Sequence, residues 1–294
     1  RSWNNMGLED SHHISTIIIH PENPDIVWVA SMGHLFSPNS MRGVFMTTDG
    51  GETWTKTLFI DDNTGVIDMI IKPQNPDVLY AAAYEKYRYP WHFEAGGIHS
   101  GIYKSVDGGA SWEKLKNGLP QGKLGRIGLA LCHTQPHIVY AVIENLNPKP
   151  GYTIDENVGM SHLRDNYFDQ MIGGELYRSD DSGETWVKQN DTSTNLSSKA
   201  AYSFNKIMIA SDNPDIVYIT SDLMQYSEDG GKTWLDYYWP PKVLSSTIFG
   251  DHRCLWMDPD DGRHVMFGSD GGLYESFDRG KTFVHHTQIP LGGA

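Results

Sequence analysis

Short runs of β-branched and aromatic residues alternate with polar turns throughout the chain. The first runs cover residues 14–19, 26–30, 43–48 and 53–60. Four such runs bounded by Gly, Pro, Asn and Asp predict four short antiparallel strands. The same succession returns at intervals of roughly 50 to 75 residues, which marks a repeat array. The β-branched runs and their turn residues exclude a helical solenoid.

Two polar motifs punctuate the runs. One reads S/T-x-D-x-G-x-T/S-W/F at residues 47–54, 105–112, 179–186, 227–234 and 276–283, with Asp49, Asp107, Asp181, Asp229 and Asp278 at its centre. The Asp can accept from backbone N–H groups in a turn, and the Gly supplies a positive φ. Ser or Thr adds a local bond, and Trp or Phe returns to the core as the next strand begins. The other motif is an Asn-Pro-Asp turn within residues 20–30, 72–82 and 211–220. It is reduced at 134–142 and degenerate at 258–268. It joins two strands of one sheet. The expected architecture is therefore all-β, a β-propeller of four-stranded antiparallel blades at about residues 9–60, 61–116, 120–190, 200–239 and 247–288. Ser2-Trp3 aligns with Ser111-Trp112. Residues 1–8 are thus expected as the outer strand of a preceding blade, and the chain as part of a propeller of six or more blades.

Charge and composition narrow the partners. The 294 residues carry a formal charge of −14, and Lys and Arg are not clustered. Nucleic acid and anionic membranes are poor partners for such a surface. No apolar run approaches the ~20 residues of a membrane span. Cys132 and Cys254, the two cysteines, read as small core residues on inner strands.

The repeat aspartates read as structural, so binding or chemistry is expected in the loops at the opposite rim. The loop after the second strand of blade two carries Tyr84, Tyr87, Arg88, Tyr89, Trp91, His92 and Glu94. Its rings suit stacking on a sugar or anchoring a peptide. Tyr238 and Trp239 extend the aromatic set from blade four, and His34, Phe36 and Arg42 belong to blade one. A loop over residues 145–174 is long enough to cap a site. Glu94, Asp155, Asp251 and Asp270 are the carboxylate candidates for glycoside chemistry, which needs two acids roughly 5 to 10 Å apart. Asp251, His252 and Asp270 are the residues weighed for a metal. The histidines show no His-x-x-x-His spacing, so neither metal nor cofactor is expected.

The Asp-centred motif is identified as the bacterial neuraminidase repeat, or Asp box. Residues 43–54, 125–129 and 268–276 resemble the sortilin-like and xyloglucanase-like Asp-box propellers of bacteria, commonly labelled glycosyl hydrolase-like. That resemblance spans nearly the whole chain. It implies the propeller fold and an exported, extracytoplasmic protein. The Arg-Ile-Pro start of sialidases is absent, and Arg126-Ile127-Gly128 stands nearest to it. Xyloglucanase-type enzymes place their acids between two propellers, so this chain holds at most one of them. Sortilin-type propellers bind peptides and proteins without catalysis. The leading expectation is a non-catalytic binding or scaffold module in a larger assembly. It would hold a protein or glycan at the rim and join further blades or domains of the same protein. The alternative is a glycoside hydrolase-like, carbohydrate-active propeller.

Overall fold

The computed structural model describes residues 2–153, 170–197, 201–222, 224–235 and 248–289. These residues form an all-β chain of successive antiparallel sheets. The first sheet contains β1 (His13–Ile19), β2 (Val27–Gly33), β3 (Gly43–Thr47) and β4 (Thr55–Leu58), side by side in chain order. The second contains β5 (Thr64–Ile71) and β6 (Leu79–Glu85). A separate hairpin follows, β7 (Tyr87–Tyr89) and β8 (His92–Glu94), before β9 (Gly101–Ser105) and β10 (Glu113–Lys114) complete the sheet. The third contains β11 (Leu124–Leu131), β12 (Val139–Pro148), β13 (Met171–Ser179) and β14 (Val187–Lys188). The fourth contains β15 (Ile207–Ala210), β16 (Asn213–Ile219) and β17 (Gln225–Ser227), and Tyr226 bridges to Leu235. The fifth contains β18 (Cys254–Met257), β19 (Val265–Ser269), β20 (Gly272–Ser276) and β21 (Val284–His285).

The second strand of each sheet reads as a continuous apolar run because both of its faces are covered. Leu79 through Tyr84 on β6 are all fully buried. Contact clustering divides the chain into two compact units. One comprises residues 1–116, 120–127 and 146–171, the other residues 117–119, 128–145 and 172–294. In the first unit Trp28, Val44, Met69 and Leu79 pack in one cluster, with Trp112 against it. In the second, Tyr140, Val142, Ile209 and Val217 form one cluster with Trp234 against it. Tyr218, Met257, Phe267 and Tyr274 form another with Phe283 against it. The aromatic that closes an Asp box thus packs against a cluster shared by two successive sheets.

The boxes and the companion turns are one structure. In the first box Thr47 Oγ1 donates to Asp49 Oδ1 (2.7 Å), while the Thr53 amide and hydroxyl donate to the two Asp49 oxygens (2.9 and 2.6 Å). Thr47 Oγ1 also accepts from the Gly51 amide at 3.0 Å. The same pattern repeats around Asp107, Asp181, Asp229 and Asp278. The residue after each Asp donates its amide to a carbonyl of the companion turn: Gly50 to Asp25, Gly108 to Asp77, Ser182 to His137, Gly230 to Asp215, and Arg279 to Arg263. That residue has positive φ in every copy. Ser182 (φ 59) and Arg279 (φ 62) adopt it without being glycine. The clamp therefore holds a conformation that the side chain alone disfavours.

Two expectations differ from the structure. Residues 2–8 form no strand, and Trp3 is 99% exposed. No described strand pairs with them; their link to the first sheet is the Met6 carbonyl, which accepts from Trp54 Nε1 at 2.7 Å. Cys132 is buried, but Cys254 is exposed, because β18 places it on the same face as Trp256 while Met257 turns into the cluster. The β1 strand exposes Ile17 and Ile19.

Candidate functional site

Each Asp box sits at the end of the second strand where that strand begins. The loops at the other end carry the candidate residues. In blade two, β6 runs from Leu79, opposite Ser105, to Glu85. Past that end the chain folds into the β7–β8 hairpin, which pairs Tyr87 with Glu94, Arg88 with Phe93 and Tyr89 with His92. Its root is anchored. Phe93 is buried, with the Lys86 ammonium 5.6 Å and the Arg88 guanidinium 5.3 Å from its ring centroid. The Arg88 amide donates to the Leu35 carbonyl of blade one (3.0 Å), and Lys123 pairs with Glu94 at 2.9 Å. Burial, then the charges of Arg126, Arg88 and Arg42, push the Lys86 amine down to about 8.

The tip of this hairpin is open. Trp91 is 82% exposed and stacks on Tyr89, with centroids 5.6 Å apart and planes 9° from parallel. Tyr87 lies 5.6 Å from Tyr89 and 5.8 Å from His92. A flat aromatic pair on a fixed base offers large contact area with little side-chain freedom to lose. Tyr84 does not belong to this surface. It lies on β6, covered on both faces and fully buried, so it supports the blade and cannot meet a ligand. Tyr238, Trp239 and Asp155 lie outside the described residues.

The structure brings Asp251 and Asp270 together. Asp251 leads into β18 with φ 60, and its amide donates to the Asp222 carbonyl at 2.8 Å. Asp270 sits in the β19–β20 turn. Arg253 Nε donates to Asp270 Oδ1 at 2.9 Å. Burial, then the Asp270 charge, raises the Asp251 carboxyl; the bond from Arg253 lowers that of Asp270. Glycoside cleavage needs a gap of about 5 to 9.5 Å between its two acids. Here the Arg253 guanidinium engages both carboxylates, 2.9 Å from Asp270 Oδ1 and 4.0 Å from Asp251 Oδ2. Glu94 is engaged by Lys123.

His252 does not join this pair as a ligand. Its ring is buried edge-on against Phe267 (4.9 Å), neither nitrogen has a hydrogen-bond partner, and burial pushes it down to about 4. Among the described residues, the group that gathers potential metal-ligand atoms is Asp10, His12 and His34. Sequence spacing missed it, since twenty-two residues separate His12 from His34. The signal is the strand register, in which His12 bridges to Gly33 beside His34. Among the described residues no helix is long and apolar enough to cross a membrane.

Comparison with known proteins places this geometry. Residues 45–56 match the family model described as BNR/Asp-box repeat. The chain is 22% identical over 290 residues to a protein of Neosartorya fischeri named "Probable oligoxyloglucan-reducing end-specific xyloglucanase", covering 86% of this chain and 31% of that one. Its fold resembles that of an ancestral GH74 enzyme, with TM-score 0.59 and 14% identity over 99% of this chain and 33% of the other. It also resembles the GH74 xyloglucanase of Xanthomonas campestris, with TM-score 0.56 and 17% identity over 94% and 38%. The chain spans about a third of the length of these proteins. Five clamped Asp boxes, four-stranded antiparallel blades and these likenesses together make the chain an Asp-box repeat β-propeller related to the GH74 xyloglucanases.

Proposed function

We propose that this chain is a non-catalytic binding module of an extracytoplasmic protein, with the Tyr87–His92 hairpin tip as its contact surface. The observation that carries this reading is the exposed, parallel Trp91–Tyr89 ring pair on its anchored hairpin. The two acids that the sequence offers near the ends of neighbouring strands both lie against the Arg253 guanidinium. Meanwhile Trp91 and Tyr89 present a parallel ring pair to solvent on a base fixed by Phe93, Arg88 and Lys123. Such a pair fits the apolar face of a sugar or the anchor residue of a protein partner.

A carbohydrate-active role is the second reading, favoured by the identity shared with the Neosartorya fischeri xyloglucanase. One experiment separates the two. The protein is incubated with xyloglucan and β-glucan oligosaccharides while reducing ends and binding are both measured. The binding reading expects no release of reducing ends, and affinity for its ligand that falls at least tenfold in Trp91→Ala. Release that disappears in Asp251→Asn or Asp270→Asn would sink it. Cell fractionation tests the extracytoplasmic placement, and recovery in the cytoplasm alone would refute it.

A further inference from the structure

A second site lies at the same end of blade one and stands independently of the ligand proposed for the hairpin. Asp10 and His12 precede β1, and His34 follows β2. His34 Nε2 is 2.9 Å from Asp10 Oδ1, and His12 Nε2 is 3.8 Å from the same oxygen. The three ligand atoms all lie within 4.8 Å of one another, and the two imidazoles face each other with centroids 3.9 Å apart. We propose that Asp10, His12 and His34 form a binding site for a divalent transition metal ion, with coordination positions left open.

Two imidazoles and one carboxylate are the donor set of zinc, cobalt and nickel centres rather than of calcium or magnesium. Bond lengths of about 2.0–2.2 Å put ligand atoms roughly 3 to 4 Å apart, so a small rotation of the half-exposed His12 closes the set. The supporting residues match what a metal site needs around its ligands. The Ser37 hydroxyl lies 2.8 Å from His34 Nδ1, where it can accept that nitrogen's proton and leave Nε2 free to ligate. Asn39 Nδ2 donates to Asp10 Oδ2 at 2.9 Å, which aims the other oxygen at the imidazoles. The buried Arg42 donates to the His34 carbonyl at 2.7 Å and fixes the backbone there. His12 itself is held at φ 53, ψ −63, outside the ordinary wells, a conformation that turns it towards His34. The site opens beside a cavity of about 250 Å³ lined by His34, Ile14, Met32, Leu35, Ile67 and Lys86. That cavity leaves room for water or an anionic group at the open positions.

The test uses the full chain, stripped with EDTA and titrated calorimetrically with ZnCl₂ at neutral pH. Binding of one equivalent with a dissociation constant of about 10 μM or tighter is expected. Cobalt substitution should give the visible absorption of a four- or five-coordinate centre. Asp10→Asn and His34→Ala should each weaken binding at least ~10-fold, and Asn39→Ser by ~10-fold through lost orientation. His12→Gln, on the exposed side, should lose affinity while keeping the metal-free melting temperature, which separates lost ligation from lost folding. His286→Gln, in a different histidine–carboxylate cluster, should leave the stoichiometry unchanged. Zinc binding in the hundreds of micromolar, or binding unchanged in His12→Gln and Asp10→Asn, would overturn the site and leave only adventitious histidine contacts.

Discussion

At one end of β6 the chain makes an Asp box. Ser105 and Ser111 bond Asp107, the Gly108 amide reaches the Asp77 carbonyl, and Trp28 of the neighbouring blade donates to the Gly108 carbonyl at 2.9 Å. At the other end it makes the β7–β8 hairpin, whose Phe93 root is buried and whose Trp91 tip stands in solvent. The first end satisfies its polar groups internally and recurs in all five blades. The second leaves aromatic surface uncovered and, among the described residues, occurs in one blade. Repetition here accompanies structural work, and variation accompanies candidate function. This is the division expected when a rigid scaffold presents different loops.

The comparison can be broken first at Trp28. It is almost fully buried between two blades of the same unit and makes a cross-blade hydrogen bond. Trp28→Ala should cost about 3–5 kcal/mol in chemical denaturation. A loss below about 1 kcal/mol would show that the two blades do not depend on that contact. Ser105→Ala comes next. Its buried hydroxyl accepts the Gly109 amide at 2.8 Å, and removing it leaves that N–H without its partner, a cost of about 1–3 kcal/mol. Stability equal to wild type would mean that the box is decorative in this blade.

Acid should act more weakly on the same end. Asp49 is held at about 2 by the bond from the Thr53 side chain and then by that from Thr47. Asp107 is held at about 2 by the Ser111 side chain and then by its amide. These carboxyls lie below their unfolded value near 3.9, so their stabilisation is complete above about pH 4 and drains away as pH falls through 2. Both are exposed and solvent-screened, which keeps the effect modest. Melting temperatures recorded between pH 5 and 2 should fall most steeply below 4. A protein that gains stability over that range contradicts the assignment. The smallest stability effect belongs to the other end. Trp91→Ala should shift unfolding by no more than about 0.5 kcal/mol while reducing ligand affinity. A large loss of stability would recast the hairpin tip as a structural element.

The Asp boxes were legible because every bond that defines them closes within eight residues, from Thr47 to Trp54 and its four counterparts. The bond from each box to its companion turn was not, although both motifs were visible, because neither motif states that the other lies beside it. Tyr84 shows the limit within a single loop. It shares composition with Tyr87 and Tyr89, yet β6 continues through it and buries it, whereas the hairpin begins three residues later.

By itself the sequence determined the repeat unit, the all-β class and the chemistry of the turns. Those follow from alternation and from local hydrogen bonds. Only the tertiary structure decided which polar groups meet. Arg253 reaches Asp270 because β18 pairs with β19 and the turn after β19 folds back. His12 reaches His34 because β1 and β2 align His12 with Gly33. Strand register is a long-range property, set by burial of whole faces rather than by the residues it brings together.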